Sequence, residues 1–164
     1  MALSTLGMFH TGCGVLALVL GAGIFLARKG TRAHVRAGWA YVASMACVNG
    51  SALGLYELTG GFNTFHALAV FSLATVAAGV VQVLGRRRWR RWLWRHYQYM
   101  AWSYVGLLAA TCNEAFVRVP PLRRLAEGAA APLPSLFTAA LVGVSGVVIF
   151  ALQRRVLARY GGGG

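Results

Sequence analysis

The chain alternates five long apolar runs with short polar connections. The runs cover Leu6 to Ala27, Val35 to Leu58, Phe62 to Leu84, Tyr97 to Val117 and Pro134 to Leu152. An α-helix needs about 20 residues to cross the hydrocarbon core of a bilayer, and each run has about that length. Strands of an open sheet would leave backbone groups unpaired in lipid, so each run predicts a helix. The second run is the least apolar, because Ser44, Asn49 and Ser51 interrupt it. Short connections make sequential helices antiparallel neighbours. The expected fold is therefore all-α, a membrane-embedded bundle with a four-helix core plus a fifth helix. Residues 1–160 form one domain, and the glycines of 161–164 form a flexible tail. The longer connection from Pro120 to Pro134 has room for a short interfacial helix over Leu122 to Ala130.

Composition supports that reading. Hydrophobic residues make up 58% and charged residues 12%. A soluble domain carries about 25% charged residues, so this chain has too little polar surface to cover a water-soluble globule. The formal net charge of +13 would suit nucleic acid if the basic residues formed one face. They instead sit at the ends of the apolar runs. Arg28 to Arg36, Arg86 to Arg95 and Arg154 to Arg159 hold 13 of the 16 basic residues and fall on one side of the bundle. Basic loops stay cytoplasmic, which predicts the amino terminus outside and the carboxyl terminus inside. Glu57, Glu114 and Glu127 then fall near the outer face. Trp89, Trp92 and Trp94 among the arginines read as an interfacial belt beside anionic headgroups, with no nucleic-acid partner.

Soluble-type hydrolase and nucleotide-binding motifs are missing, and the chain contains no Asp. The first run has no basic residue before it and is longer than the apolar core of a signal peptide, so it reads as a retained span. Cys13, Cys47 and Cys112 share no CxxC spacing and read as small buried hydrophobes.

The histidines carry the candidate chemistry. There are four, His10, His34, His66 and His96, each near the amino-terminal end of one of the first four runs. His10 and His66 then share the outer side, roughly 25 Å above the inner ends of their helices at about 1.5 Å per residue. His34 and His96 share the inner boundary. In a sequential four-helix bundle, helices 1 and 3 are diagonal, as are 2 and 4. Diagonal histidines approach an iron from opposite faces, as a bis-histidine haem requires. Gly14 and Gly38, each four residues after a histidine, leave room for a flat macrocycle. Met100 can pack against it, and Arg32, Arg36 and Arg95 can bind its propionates. The pattern predicts two haem b groups per chain, ligated by His10 with His66 and by His34 with His96. It predicts a transmembrane electron carrier, a candidate oxidoreductase component working with a quinol or another redox partner. The other class left open is a non-redox membrane protein that binds lipid, a cation or a protein partner. Histidines near span ends then simply face the headgroups.

Residues 29–45, KGTRAHVRAGWAYVASM, carry a resemblance. The chain resembles the domain-of-unknown-function family 2306, small predicted bacterial membrane proteins. Lys29 to Thr31, His34, Gly38, Tyr41 and Met45 match its motif, and its other motif histidines fall on His10, His66 and His96. The resemblance covers roughly residues 10–118. It departs at residues 112–124, CNEAFVRVPPLRR, and leaves the fifth run outside. It implies the fold, the histidine set and a place in the bacterial cytoplasmic (inner) membrane, but no reaction. The four-helix, four-histidine plan also looks like that of two-haem transmembrane cytochromes b, in architecture alone.

Overall fold

The computed structural model describes residues 4–56, 60–62, 64–129 and 132–160. Among them lie six α-helices: α1 (Thr5–Leu26), α2 (Arg32–Ala52), α3 (Thr64–Leu84), α4 (Trp92–Arg118), α5 (Pro120–Glu127) and α6 (Leu133–Tyr160). No strand occurs among the described residues. Three helices, α1, α3 and α6, are long and apolar enough to cross a membrane by length and composition. Helices α2 and α4 are of similar or greater length but carry more polar residues.

In α2 those polar residues point into the bundle. Ser44 Oγ donates to the Ala40 carbonyl at 2.9 Å. Asn49 Nδ2 donates to the Met45 carbonyl at 2.8 Å and to Ser72 Oγ on α3 at 3.1 Å. Polar side chains at a helix contact in lipid hold neighbours together, typically by about 0.6 kcal/mol each.

Helices α1 to α4 form a ring in which α1 packs on α2, α2 on α3, α3 on α4, and α4 back on α1. Helices α1 and α3 are diagonal, as the connection lengths predict. The core holds Ala17, Tyr41, Met45, Val76 and Leu107. Across the other diagonal, Tyr41 on α2 and Ser103 on α4 share a buried hydrogen bond of 3.0 Å. Helix α6 packs outside the ring against α4. Tyr97 Oη donates to the Ile149 carbonyl at 3.1 Å, and Trp94 Nε1 donates to Gln153 Oε1 at 3.0 Å. Gln98 Nε2 also donates to Gln153 Oε1.

The helix ends differ from the apolar runs in four places. Helix α2 stops at Ala52, because Leu53 and Gly54 turn the chain away; the run to Leu58 therefore includes a turn. Helix α4 begins at Trp92, five residues before the run, because Arg91 takes a left-handed conformation (φ 63°) that starts it there. Helix α6 continues to Tyr160, so Arg154, Arg155 and Arg159 are helical, and cations suit a helix carboxyl end. The short helix expected over Leu122 to Ala130 is α5, which starts two residues earlier on Pro120 and Pro121. Proline fits the first helical turn, where its missing N–H has no intrahelical partner anyway. Glu57, Asn63 and the 161–164 tail lie outside the described residues.

Candidate functional site

The basic end of the bundle encloses a cavity of about 610 Å³. Sites for drug-sized ligands and cofactors span about 300–1,000 Å³. The walls are mostly apolar side chains from α1, α2, α3 and α4, and Val156 and Tyr160 of α6 complete them. The fifth helix thus takes part in a site that the histidine pattern assigned to the first four alone.

Two histidines face this cavity from the diagonal helices. His34 enters from the first turn of α2, which Thr31 caps through a 3.2 Å bond from the His34 N–H to its hydroxyl. His96 enters from the first turns of α4. His96 Nδ1 lies 2.9 Å from the Gly79 carbonyl. A carbonyl only accepts, so Nδ1 carries the proton and Nε2 keeps its lone pair. Histidines that ligate metals are oriented by this kind of bond to a backbone carbonyl. His34 Nδ1 is buried and has no hydrogen-bond partner among the described residues. A buried polar atom left without a partner costs about 1–3 kcal/mol.

The remaining wall suits a flat, apolar ligand. Gly38 lies one turn beyond His34, and a Cβ built there meets nothing within 4 Å. Met100 lines the same cavity, one turn beyond His96. The cations differ from the expected set. Lys29 and Arg86 line the cavity, whereas Arg32, Arg36 and Arg95 do not. Lys29 is already engaged: Nζ donates to the Ile24 carbonyl at 2.6 Å, Phe25 at 2.8 Å and Ala27 at 3.1 Å. It closes the carboxyl end of α1, and burial lowers its pKa from the ordinary lysine range. Arg86 is the cation left for an anionic group.

At the opposite end, His10 and His66 are placed differently. His10 Nδ1 lies 3.1 Å from the Val48 carbonyl and 3.0 Å from Ser51 Oγ. The Ser51 hydroxyl donates to the Cys47 carbonyl at 2.6 Å, so its oxygen accepts from His10. His10 Nδ1 therefore carries a proton, as His96 Nδ1 does. His66 is 1% exposed. Tyr56 stacks on it at 4.7 Å between ring centroids, and Phe62 packs at 5.2 Å. Neither His10 nor His66 lines the large cavity. Glu114 pairs with Arg118 one turn along α4 at 2.7 Å.

Among the described residues, no three His, Cys, Asp or Glu side chains come together as a metal site. A pair of histidines can complete a metal's coordination only if the ligand supplies the remaining donors, as a porphyrin does. The residues at the cavity fit that group: two imidazoles on diagonal helices, an open glycine, a thioether and one uncommitted guanidinium.

Sequence reasoning missed Tyr56, Phe62, Lys29, Gln98 and Gln153. Gln98 and Gln153 are polar residues near the basic ends of long helices, which was the available signal. No curated protein and no solved structure matches the chain. A family model described as a predicted membrane protein (DUF2306) matches residues 7–152, which includes most of α6 as well as all four histidines. The chain belongs to this family of predicted membrane proteins.

Proposed function

We propose that the chain crosses the bilayer five times, amino terminus outside, and carries electrons across it. In this reading α2 and α4 span as well as α1, α3 and α6, since their polar residues turn toward neighbouring helices. The basic ends of the bundle lie in the cytoplasm. His34 and His96 ligate an inner haem b, and His10 and His66 an outer one. Haem, when bound, supplies one-electron chemistry at its iron. The protein's part is to hold each imidazole in the right tautomer, exclude water with the apolar wall, and meet the propionates with Arg86. The donor is a quinol or a cytoplasmic reductant, and the acceptor lies outside.

The observation that carries this reading is the cavity flanked by His34 and His96, one ring held by Gly79 and the other bearing an unsatisfied nitrogen. The outer end favours a second, narrower reading. Tyr56 and Phe62 cover His66 with aromatic rings, which suits a structural histidine. That leaves a single inner site for haem or for an apolar ligand such as lipid or quinol.

A visible spectrum of the protein purified after expression with ample haem tests both. The expected result is a sharp reduced α-band after dithionite, with two haems per chain, one lost in His34→Ala and the other in His10→Ala. One haem per chain, lost in His34→Ala and kept in His10→Ala, supports the narrower reading. A folded protein that stays colourless when haem is added overturns the electron-carrier proposal.

A further inference from the structure

Helices α1 and α2 run antiparallel in a register fixed by side-chain contacts. A Cβ on Gly54 would lie 3.2 Å from Leu6 Cδ2. One turn further, His10 bonds to Val48 and Ser51. The next turn of that register puts Cys13 opposite Cys47. Ser51, which holds His10, also donates to the Cys47 carbonyl, so the thiol pair lies directly beside the His10 clamp. Cys47 is exposed and Cys13 half-exposed on the outer surface of the helix pair. In a bilayer that surface meets acyl chains, not water.

Two thiols facing each other across a helix contact can join without moving the backbone far, provided the Cα atoms lie within about 7 Å. The glycines Gly12 and Gly14 flank Cys13, and Gly50 lies near Cys47, each with open space at its Cβ. An oxidant reaching this surface must dissolve in the acyl region and accept two electrons.

We propose that Cys13 and Cys47 form a dithiol site that a lipid-soluble quinone oxidises to an interhelical disulfide. Two S–H bonds break and one S–S bond forms. The dithiol loses two electrons and two protons, and the quinone takes up both to become a quinol. The bridge ties α1 to α2 one turn from His10. It is independent of any haem, so its failure and that of the electron-carrier reading are separable.

The test uses the full chain in native membranes, reduced and then washed. A short-chain benzoquinone is added, remaining thiols are capped with a maleimide, and the intact mass is read. The expected product carries one maleimide rather than three and has lost the mass of two hydrogens. Cys112→Ser should still form the bridge; Cys13→Ser and Cys47→Ser should not. Copper–phenanthroline serves as an oxidant that reports proximity alone. Bridging with copper but not with quinone overturns the proposal, because quinone is then not the oxidant. Three capped thiols, a bridge to Cys112, a chain-to-chain dimer or a quinone adduct overturns it as well.

Discussion

The His96 imidazole is anchored by the backbone of the neighbouring helix, its Nδ1 standing 2.9 Å from the Gly79 carbonyl. That contact needs α3 and α4 to approach closely, and Gly79 permits it: a Cβ there would lie 2.7 Å from Met100 Sδ. The Gly79 carbonyl is inside α3, where the helix also supplies it with a donor. Removing the imidazole therefore strands no acceptor. His96→Ala should cost only about 0.5–1.5 kcal/mol, the worth of one ordinary hydrogen bond. It should nonetheless abolish inner-site haem uptake, and a redox difference spectrum beside a thermal melt separates the two effects. A large fall in stability with the spectrum unchanged would make His96 a structural residue.

The Tyr104 ring packs directly over Gly21 beside the cavity. A Cβ at Gly21 would lie 2.3 Å from two carbons of the Tyr104 ring. That ring is held by a 3.1 Å bond from its hydroxyl to the Leu18 carbonyl and by Phe25 at 5.4 Å between centroids. It cannot retreat cheaply. Gly21→Ala should destabilise by about 1–3 kcal/mol, the usual cost of overpacking. In a Tyr104→Leu background the same change should cost much less. Denaturation of the four proteins of this cycle checks it, and additive losses would show that the ring moves freely.

These two contacts show which parts of the site could be read from the sequence. His34 and His96 share a cavity because span boundaries and alternating direction place them at one end of diagonal helices, and arithmetic on the chain captures that. The rotation that brings both side chains to the cavity is not fixed by that arithmetic. What the arithmetic misses depends on the connections. Leu53 and Gly54 end α2 early and bring Tyr56 toward His66. Lys29 turns back onto α1 rather than toward the cavity's centre. Val156 and Tyr160 reach the cavity because α6 runs two turns beyond its apolar stretch. None of these leaves a periodic signal.

Lys29 closes α1 by donating to three carbonyls that have no intrahelical partner. Hydrogen bonds from a charged donor are worth more than neutral ones, and a cation also suits the helix carboxyl end. The ammonium is partly exposed, so water competes for it. Lys29→Met should cost on the order of 1 kcal/mol, a value discounted for that screening. Hydrogen exchange should show the loss as faster opening at the Ile24 to Ala27 end, with the Gly7 end unaffected. Uniform loosening of α1 would mean that Lys29 acts through the cavity instead.

Gln153 ties α6 to the ring from a single side chain. Its Oε1 accepts from Trp94 Nε1 at 3.0 Å and from Gln98 Nε2. Gln98 Oε1 accepts in turn from Trp102 Nε1 at 3.2 Å. Gln153→Leu leaves Trp94 and Gln98 donors without their acceptor, while Tyr97 keeps its bond to the Ile149 carbonyl. Interhelical bonds of this kind are worth about 0.6 kcal/mol each in lipid, so α6 should loosen by roughly 1 kcal/mol rather than detach. Because Val156 and Tyr160 close the cavity, the loosening should speed ligand release more than it lowers the melting temperature. Release of a hydrophobic fluorophore bound at the basic end measures this. An unchanged release rate with a lowered melting temperature would show that α6 stabilises the bundle without gating the cavity.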